Sequence, residues 1–297
     1  MSNRPRYDTI HMVSEIQMPG DAGVLLLTEE SLYLSFSGIR VHFRVVRPDV
    51  PIHSRIMLLA SPMISAFHWR KLLPELSGLG CLAVLMDMPG FGRSDPNAPQ
   101  DTDTRANLAW GVLDEVDRAM DAPLSLWHLA AHGSACTTLL RMGALYPDSV
   151  KSQIHIAPLF SVDRRFRRPE ARERFYDDRI RRSDSFKRLI ESWAGFPMDD
   201  FIVDRMRGPL MRPNMGKTFD RMLRNAVAPP REGVGFCPAM ALLGGRDPLL
   251  DEARLSQAHA LLRGAETHRL ASAGHFPMET HSKALRDYLR GWLRYNE

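Results

Sequence analysis

The segment Leu129–Leu139, "LAAHGSACTTL", changes from one periodicity to another within a few residues. It contains the end of an apolar run, Leu124–Ala131, with the length and continuity of a strand that is covered on both faces. Gly133 and Ser134 interrupt this run, and helical spacing follows over Ala135–Tyr146. The segment therefore predicts a strand, a sharp turn and a helix, which is the repeating unit of a parallel α/β sheet.

The same alternation extends in both directions along the chain. Further apolar runs, each predicted to be a buried strand, occur at Arg55–Ala60, Cys81–Asp87, Ser152–Ala157 and Ala239–Gly244. A predicted hairpin, Leu32–Val46, precedes them, and helical stretches separate them. This order predicts an α/β fold with a mostly parallel sheet and helices on both faces.

Residues 160–235 interrupt the alternation. This segment is rich in arginine and contains five methionines, so it is too apolar for a linker. We predict a helical cap, inserted into a core domain that is formed by residues 1–159 and 236–297. The basic stretch 164–182 is expected to be a solvated helix face, and the alternative is a rim that attracts an anionic substrate.

Composition argues against several classes of protein. The length of 297 residues suits one large α/β domain with an insertion, and the net charge of +4 is not accompanied by a nucleic-acid-binding motif. No apolar run approaches a membrane span, and the first residues lack the apolar core of a signal peptide. The three cysteines are widely separated and odd in number. We expect a cytoplasmic protein without cofactor, metal, nucleic-acid or membrane partner, and the oligomeric state is left open.

Four segments, in this order, resemble the α/β-hydrolase superfamily, especially its capped branch of esterases, epoxide hydrolases, haloalkane dehalogenases and C–C hydrolases. They are "DMPGFGRSD" (Asp87–Asp95), the strand, turn and helix of His128–Val150, "LLGGRDPLL" (Leu242–Leu250) and "ASAGHFPMETH" (Ala271–His281). The likeness extends from about Leu32 to the C-terminus. It implies an α/β-hydrolase fold with an inserted helical cap.

The resemblance also implies an acid and a base. In that family the nucleophile, the acid and the histidine follow in this chain order, so Asp247 falls on the acid and His275 on the base. An imidazole moves a proton near neutral pH, and a carboxylate fixes its tautomer and stabilises the imidazolium. Asp163 is the alternative acid, because some relatives place the acid after the preceding strand.

The position of the family's nucleophile is occupied by glycine. Strand and helix meet tightly at this turn, and centring it on Gly133 puts alanines two places before and after. Centring it on Ser134 puts His132 and Cys136 there, which fits worse. We therefore predict that glycine has replaced the nucleophile, since glycine adopts the strained backbone of such a turn without cost. Ser134 would then donate its backbone N–H to an oxyanion; its use as a displaced nucleophile is the alternative, and Cys136 is a less favoured one.

A second departure lies in the loop after Arg55–Ala60. The family usually has His-Gly-X here, and the N–H of X helps to hold the oxyanion, but the register of "LLASPMISAFHW" places Pro62 at X. Proline has no N–H, and the loss of one such donor typically raises the barrier by about 2.7–4 kcal/mol. We expect Pro62, Met63 and His132 to contact the substrate.

The two departures, Gly133 at the nucleophile position and Pro62 at the oxyanion position, affect one mechanism. They favour a natural protein that no longer carries out serine-based acyl transfer. The leading hypothesis is an enzyme in which Asp247 and His275 act as a general base on a small, largely apolar substrate. The base would take a proton from the substrate, as in lyases of this fold, or activate a water in the space that Gly133 leaves. The alternatives are a hydrolase that uses Ser134 and a non-catalytic ligand-binding protein.

Overall fold

A nine-stranded sheet runs through the part of the chain that this computed structural model describes, residues 9–12, 28–121, 126–226, 230, 232–235 and 237–296. Its strands are β1 (Thr9–Met12), β2 (Thr28–Phe36), β3 (Ile39–Arg47), β4 (Ser54–Ala60), β5 (Cys81–Asp87), β6 (Trp127–His132), β7 (Val150–Ile156), β8 (Ala239–Gly244) and β9 (Glu266–Leu270). Their order is β1-β2-β3-β5-β4-β6-β7-β8-β9. The pairs from β1 to β3, and β3 with β5, are antiparallel. All neighbouring pairs from β5 to β9 are parallel, which confirms the mostly parallel sheet.

The predicted strands correspond closely to the observed ones. Every residue of β5 and β6 is buried, which explains why both segments read as continuous apolar runs. The predicted hairpin is β2 and β3, and it turns at Ser37 and Gly38 with φ of 46° and 79°. The start of the run predicted at Leu124 lies outside the described residues, so the structure shows only the strand that begins at Trp127.

Ten α-helices lie in the described part of the chain. They are α1 (Leu73–Gly78), α2 (Thr102–Ala119), α3 (Ala135–Leu145), α4 (Pro169–Phe175), α5 (Ser183–Ala194), α6 (Asp200–Arg207), α7 (Met215–Asn225), α8 (Glu252–Leu261), α9 (Pro277–Thr280) and α10 (Ser282–Tyr295). Four of them, α4 to α7, follow one another between β7 and β8, and the described residues of 160–235 contain no strand. None of the ten is both long and apolar enough to cross a membrane.

The helices between β7 and β8 pack through apolar faces. In α5 the buried residues Phe186, Ile190 and Ala194 are spaced four apart and therefore lie on one side of the helix. In α7, Phe219 and Met222 are buried in the same way. All five belong to the hydrophobic core cluster that contains the central strands. These helices therefore share one core with the central strands.

A buried carboxylate fixes the loop that follows β5. Asp87 accepts the backbone N–H groups of Ala66 (2.7 Å) and Arg93 (2.8 Å) and a hydrogen bond from His42 Nδ1 (2.8 Å). His42 Nε2 lies 2.8 Å from Ser31 Oγ. Burial alone would raise the pKa of Asp87, but these hydrogen bonds outweigh it and lower the pKa. The carboxylate is therefore ionised and holds together the loop on which the family resemblance partly rests.

Candidate active site

Polar residues from four separate loops meet at one edge of the sheet. Ser61 follows β4, Gly133 follows β6, Asp247 lies beyond β8 and His275 lies beyond β9. Because the carboxyl ends of neighbouring parallel strands share an edge, residues far apart in sequence become neighbours there. This edge therefore holds the candidate site.

Asp247 and His275, the residues that fall on the acid and the base of the family, are hydrogen-bonded to each other. His275 Nδ1 lies 2.8 Å from Asp247 Oδ2, and both side chains are buried. Asp247 Oδ1 also accepts the N–H of Leu249 (2.9 Å), and the backbone N–H of His275 bonds to Trp193 O (2.7 Å), which anchors the histidine loop to the end of α5. Since Nδ1 donates to the carboxylate, Nε2 is the nitrogen that can accept a proton.

Gly133 faces this Nε2 atom with no side chain between them. The glycine has φ of +57°, in the left-handed region that the turn was expected to require. A Cβ added here would lie 3.2 Å from His275 Nε2, 3.3 Å from Ser61 Cβ and 3.5 Å from Ser61 Oγ. The imidazole is thus directed at the position where a nucleophilic side chain would begin.

Ser134 lines the cavity, but its hydroxyl is not engaged with the base. It immediately precedes α3 and makes no side-chain capping bond. Among the described residues, neither its hydroxyl nor its backbone N–H has a hydrogen-bond partner, so the N–H is available at the helix N-terminus. This arrangement suits a backbone donor better than a nucleophile that has been activated by His275.

The two other candidates considered for the chemistry lie apart from His275. Asp163 accepts the N–H of Arg165 (2.8 Å) and lies within an exposed turn, so the acid that bonds His275 is Asp247. Cys136 is fully buried, and its thiol is 3.3 Å from Ala131 O. Burial raises the pKa of this thiol, which keeps it protonated and a poor nucleophile.

Of the three residues predicted to contact the substrate, Pro62 and Met63 lie on the cavity wall and His132 does not. His132 is fully buried and supports the site from behind. Its Nε2 donates to the backbone oxygen of His275 (2.7 Å), and its Nδ1 lies 2.9 Å from Ser61 Oγ. Burial, followed by the neighbouring His275, lowers the pKa of His132 far below its usual value. A neutral ring that donates through Nε2 accepts at Nδ1, so the Ser61 hydroxyl donates its proton to His132.

Ser61 is the site residue that sequence reasoning missed. In the register that places Pro62 at X, Ser61 falls on the glycine of the family's His-Gly-X, and its polar side chain was the one available signal. Because its proton is directed to His132, the lone pairs of Oγ remain to accept a hydrogen bond from another group. Ser61 Oγ and His275 Nε2 flank the same position beside Gly133. Together they present two acceptors to whatever occupies that position.

A cavity of about 920 Å³ adjoins these residues. Ser61, Pro62, Ser134 and His275 line one part, and the helices between β7 and β8 supply most of the remaining wall. Apolar side chains on the wall include Leu159, Val162, Phe166, Leu189, Trp193 and Phe219. The volume lies in the range of cavities that enclose a small organic ligand.

Comparisons with known proteins agree with the fold. The family model described as "Alpha/beta hydrolase family" matches residues 60–288. Among solved structures, the chain is similar to the epoxide hydrolase CorEH without ligand, at 13% identity and a TM-score of 0.74, covering 91% of this chain and 100% of that one. It is also similar to haloalkane dehalogenase DbeA from Bradyrhizobium elkani, at 16% identity and a TM-score of 0.72, covering 90% and 98%. A third similar structure is a thermophilic esterase from Thermogutta terrifontis, at 15% identity and a TM-score of 0.70, covering 90% of this chain and 99% of that one. A search of curated proteins found no match.

Proposed function

Because the chain belongs to the alpha/beta hydrolase family, we propose that it is an enzyme in which Asp247 and His275 form a general base and no side chain becomes acylated or alkylated. Its substrate is a small, largely apolar molecule that enters the cavity beside Gly133. We also propose that residues 160–235 form a cap over a core domain of residues 1–159 and 236–297, and that the protein acts in the cytoplasm.

One observation carries this proposal: His275 Nε2 lies 3.2 Å from the point where a Cβ on Gly133 would be. The base and its carboxylate partner are retained at hydrogen-bond distance, whereas the atom that they would activate in the family mechanism is absent. A general base within reach of a small molecule is sufficient for proton transfer. The buried Asp247 would stabilise the imidazolium that forms.

Ser61 favours water as the proton donor. A water oxygen cannot sit at the Cβ position itself, because it would be at bonding distance from the Gly133 Cα, so the proposed water lies further from the Cα, on the cavity side. There it would donate one hydrogen to His275 Nε2 and the other to Ser61 Oγ, which is left as an acceptor by its bond to His132. His275 would take one proton as the water oxygen bonds to the electrophilic carbon, and it would return that proton to the leaving group.

The oxyanion side of the site supports the same proposal. Ser134 N–H is one donor at the start of α3, and Pro62 supplies none at the position where the family has the second. The proposed enzyme therefore gains less from carbonyl oxyanion stabilisation than an esterase does. Substrates that place the new negative charge elsewhere, such as epoxides, suit this site better than carboxylic esters.

A serine-directed fluorophosphonate probe is expected to leave the wild-type protein unlabelled. Gly133 offers no hydroxyl, Ser134 Oγ is not bonded to the base, and Ser61 donates to a histidine whose pKa is low. The measurement is intact-mass and peptide mass spectrometry after incubation, with a conventional serine esterase as the positive control. Stoichiometric labelling of Ser134 would overturn the proposal and establish the displaced nucleophile.

Replacing Ser61 with alanine is expected to lower turnover by about 10-fold, because one hydrogen bond that orients the water is lost, and such a bond is worth about 0.5–1.5 kcal/mol. Ser134→Ala is the matched control, since that hydroxyl lines the same cavity without a partner. Steady-state kinetics on a panel of small apolar epoxides and esters give the comparison. Equal effects of the two variants would contradict the role of Ser61.

A non-catalytic binding protein is the remaining alternative, and the same panel addresses it. If the purified protein binds panel compounds but converts none of them, the proposed enzyme is wrong and the cavity serves binding alone. Conversion that persists after the removal of His275 would also contradict the proposed mechanism, because the base would then be unnecessary.

A further inference from the structure

The cavity wall is more basic than the chain as a whole. Its basic residues are six arginines: Arg165, Arg168, Arg174, Arg179, Arg188 and Arg254. Its acidic residues are Asp163, Glu170 and Asp178. The wall therefore has two basic residues for each acidic one, whereas the whole chain has 39 basic and 35 acidic residues. This excess is concentrated at the cavity and is not an average property of the surface.

Local ion pairs do not neutralise this excess. Among the described residues, the side chains of Arg168, Arg174 and Arg179 have no ion-pair or hydrogen-bond partner. The three acids on the wall provide little compensation. Asp163 pairs with Arg165, Asp178 pairs with Arg182, which is outside the cavity, and Glu170 adds a single negative charge with no ion pair among the described residues. Three guanidinium groups are thus available to a ligand.

Most charged groups on the cavity wall are exposed, whereas the proposed base is buried. Arg168, Arg174 and Arg179 are exposed, which places them at the open part, whereas Ser61 and His275 are buried. Side chains such as Phe166, Leu189, Trp193 and Phe219 complete the wall with apolar surface. A molecule that fills this cavity meets positive charge near solvent, apolar surface along its length and an imidazole at its inner end.

We propose that the substrate carries an anionic oxyacid group, a carboxylate or a phosphate, which is separated from the reacting carbon by an apolar body. Guanidinium groups bind both kinds of anion through paired N–H donors. The apolar body would pack against the aromatic side chains of the wall. This inference rests on the proposed function for the reacting end, but the arginine site is defined by binding and is testable without turnover.

Isothermal titration with 6-phenylhexanoate, 6-phenylhexanamide and 6-phenylhexyl phosphate tests the arginine site on the full chain. The three probes share one apolar body and differ at the end group. We expect at least one of the two anions to bind about 10-fold or more tightly than the neutral amide, and the preference to weaken as salt is added. The anion that binds more tightly identifies the end group.

The variant Arg174→Gln/Arg179→Gln removes two charges from the cavity, and Arg164→Gln/Arg224→Gln removes two exposed charges from the same segment outside it. The cavity variant is expected to lose about 10-fold in affinity for the anion and little for the amide, while the control variant retains both affinities. Exposed ion pairs of about 0.2–1 kcal/mol each account for a loss of this size.

Three results would overturn the inference: equal affinities for the amide and both anions, equal losses in the two variants, or no binding of either anion. The proposed function fails separately. Anion binding as expected, with no conversion of any panel substrate or of an epoxide or ester that carries the preferred anionic group, would leave the arginine site in place and refute the enzyme. Repeating the titration with His275→Ala keeps the two tests apart, because binding at the arginines does not require the base.

Discussion

His275→Ala is expected to lower turnover by about 10²- to 10⁴-fold, which is the contribution typical of a general base. Among the described residues other than the chain neighbours of Gly133, His275 Nε2 is the nearest atom to the position of a Cβ on that glycine, and the substitution removes it. His132, the nearest other imidazole, is fully buried and donates to a backbone oxygen, so it cannot take over the proton. Steady-state kinetics with the best substrate of the panel give the fold-change, and loss should appear in kcat.

A control for this variant lies in the same loop region. His281→Ala removes an imidazole that bonds Ser272 and does not line the cavity, so it should leave turnover nearly unchanged. Because removing the His275 ring leaves the buried Asp247 with fewer partners, thermal unfolding of each variant must be measured, and His275→Gln serves as a second variant that retains a polar group. Turnover by a folded His275→Ala protein within a few-fold of wild type would rule out the base.

The free energy of unfolding is expected to fall steeply as the pH is lowered from about 6.5 to about 4. Four histidines in the core have pKa values that burial lowers: His68 and His128 to about 4, His155 to about 3, and His132 well below 6.5. In the unfolded chain each binds a proton below the ordinary pKa of about 6.5, and in the folded protein it does not. Their stabilising effect is therefore complete above pH 6.5 and is lost on acidification, by about 1.4 kcal/mol per pH unit for each histidine.

Urea unfolding at several pH values between 7.5 and 4.5 measures this slope. His155→Gln should reduce the dependence of the unfolding free energy on pH by the contribution of one proton, about 1.4 kcal/mol per pH unit, because the titrating group is removed. This change in slope is expected whatever the variant does to stability at neutral pH. His259→Gln is the control, because it makes the same replacement at an exposed position. A pH-independent free energy of unfolding over this range would show that the buried histidines ionise without cost.

The central strands and the Asp247–His275 pair were predictable from short stretches of sequence and from the order of those stretches along the chain. A buried parallel strand reads as an apolar run, and the strand-end rule brings the loops after β6, β8 and β9 to one edge whatever the details of packing. Gly133 stood out because its neighbours fit the turn and a nucleophile was missing. Each of these features is visible in a short stretch of sequence or in the order of such stretches.

Ser61 and His132 could not be assigned from sequence because their roles depend on each other. His132 looked like a cavity residue by its position next to the turn, but the strand places its side chain behind the wall, between Ser61 and the backbone of His275. The arginines of the cavity wall could not be assigned from sequence either, because the basic stretch alone does not show which side chains face solvent and which face the cavity. Contacts between loops and helices that are distant in sequence determine both the roles of Ser61 and His132 and the positions of these arginines.

The hydrogen-bonded series Ser31–His42–Asp87 places a hydroxyl, an imidazole and a carboxylate in one row away from the cavity, whereas the imidazole of His275 faces Gly133. A search for catalytic templates by connectivity would select it, although its carboxylate is fastened by two backbone N–H groups and serves the loop after β5. Mutational drift is constrained differently at the two places. Asp87 cannot change without releasing that loop, whereas Gly133 has no side chain on which the residues around it depend.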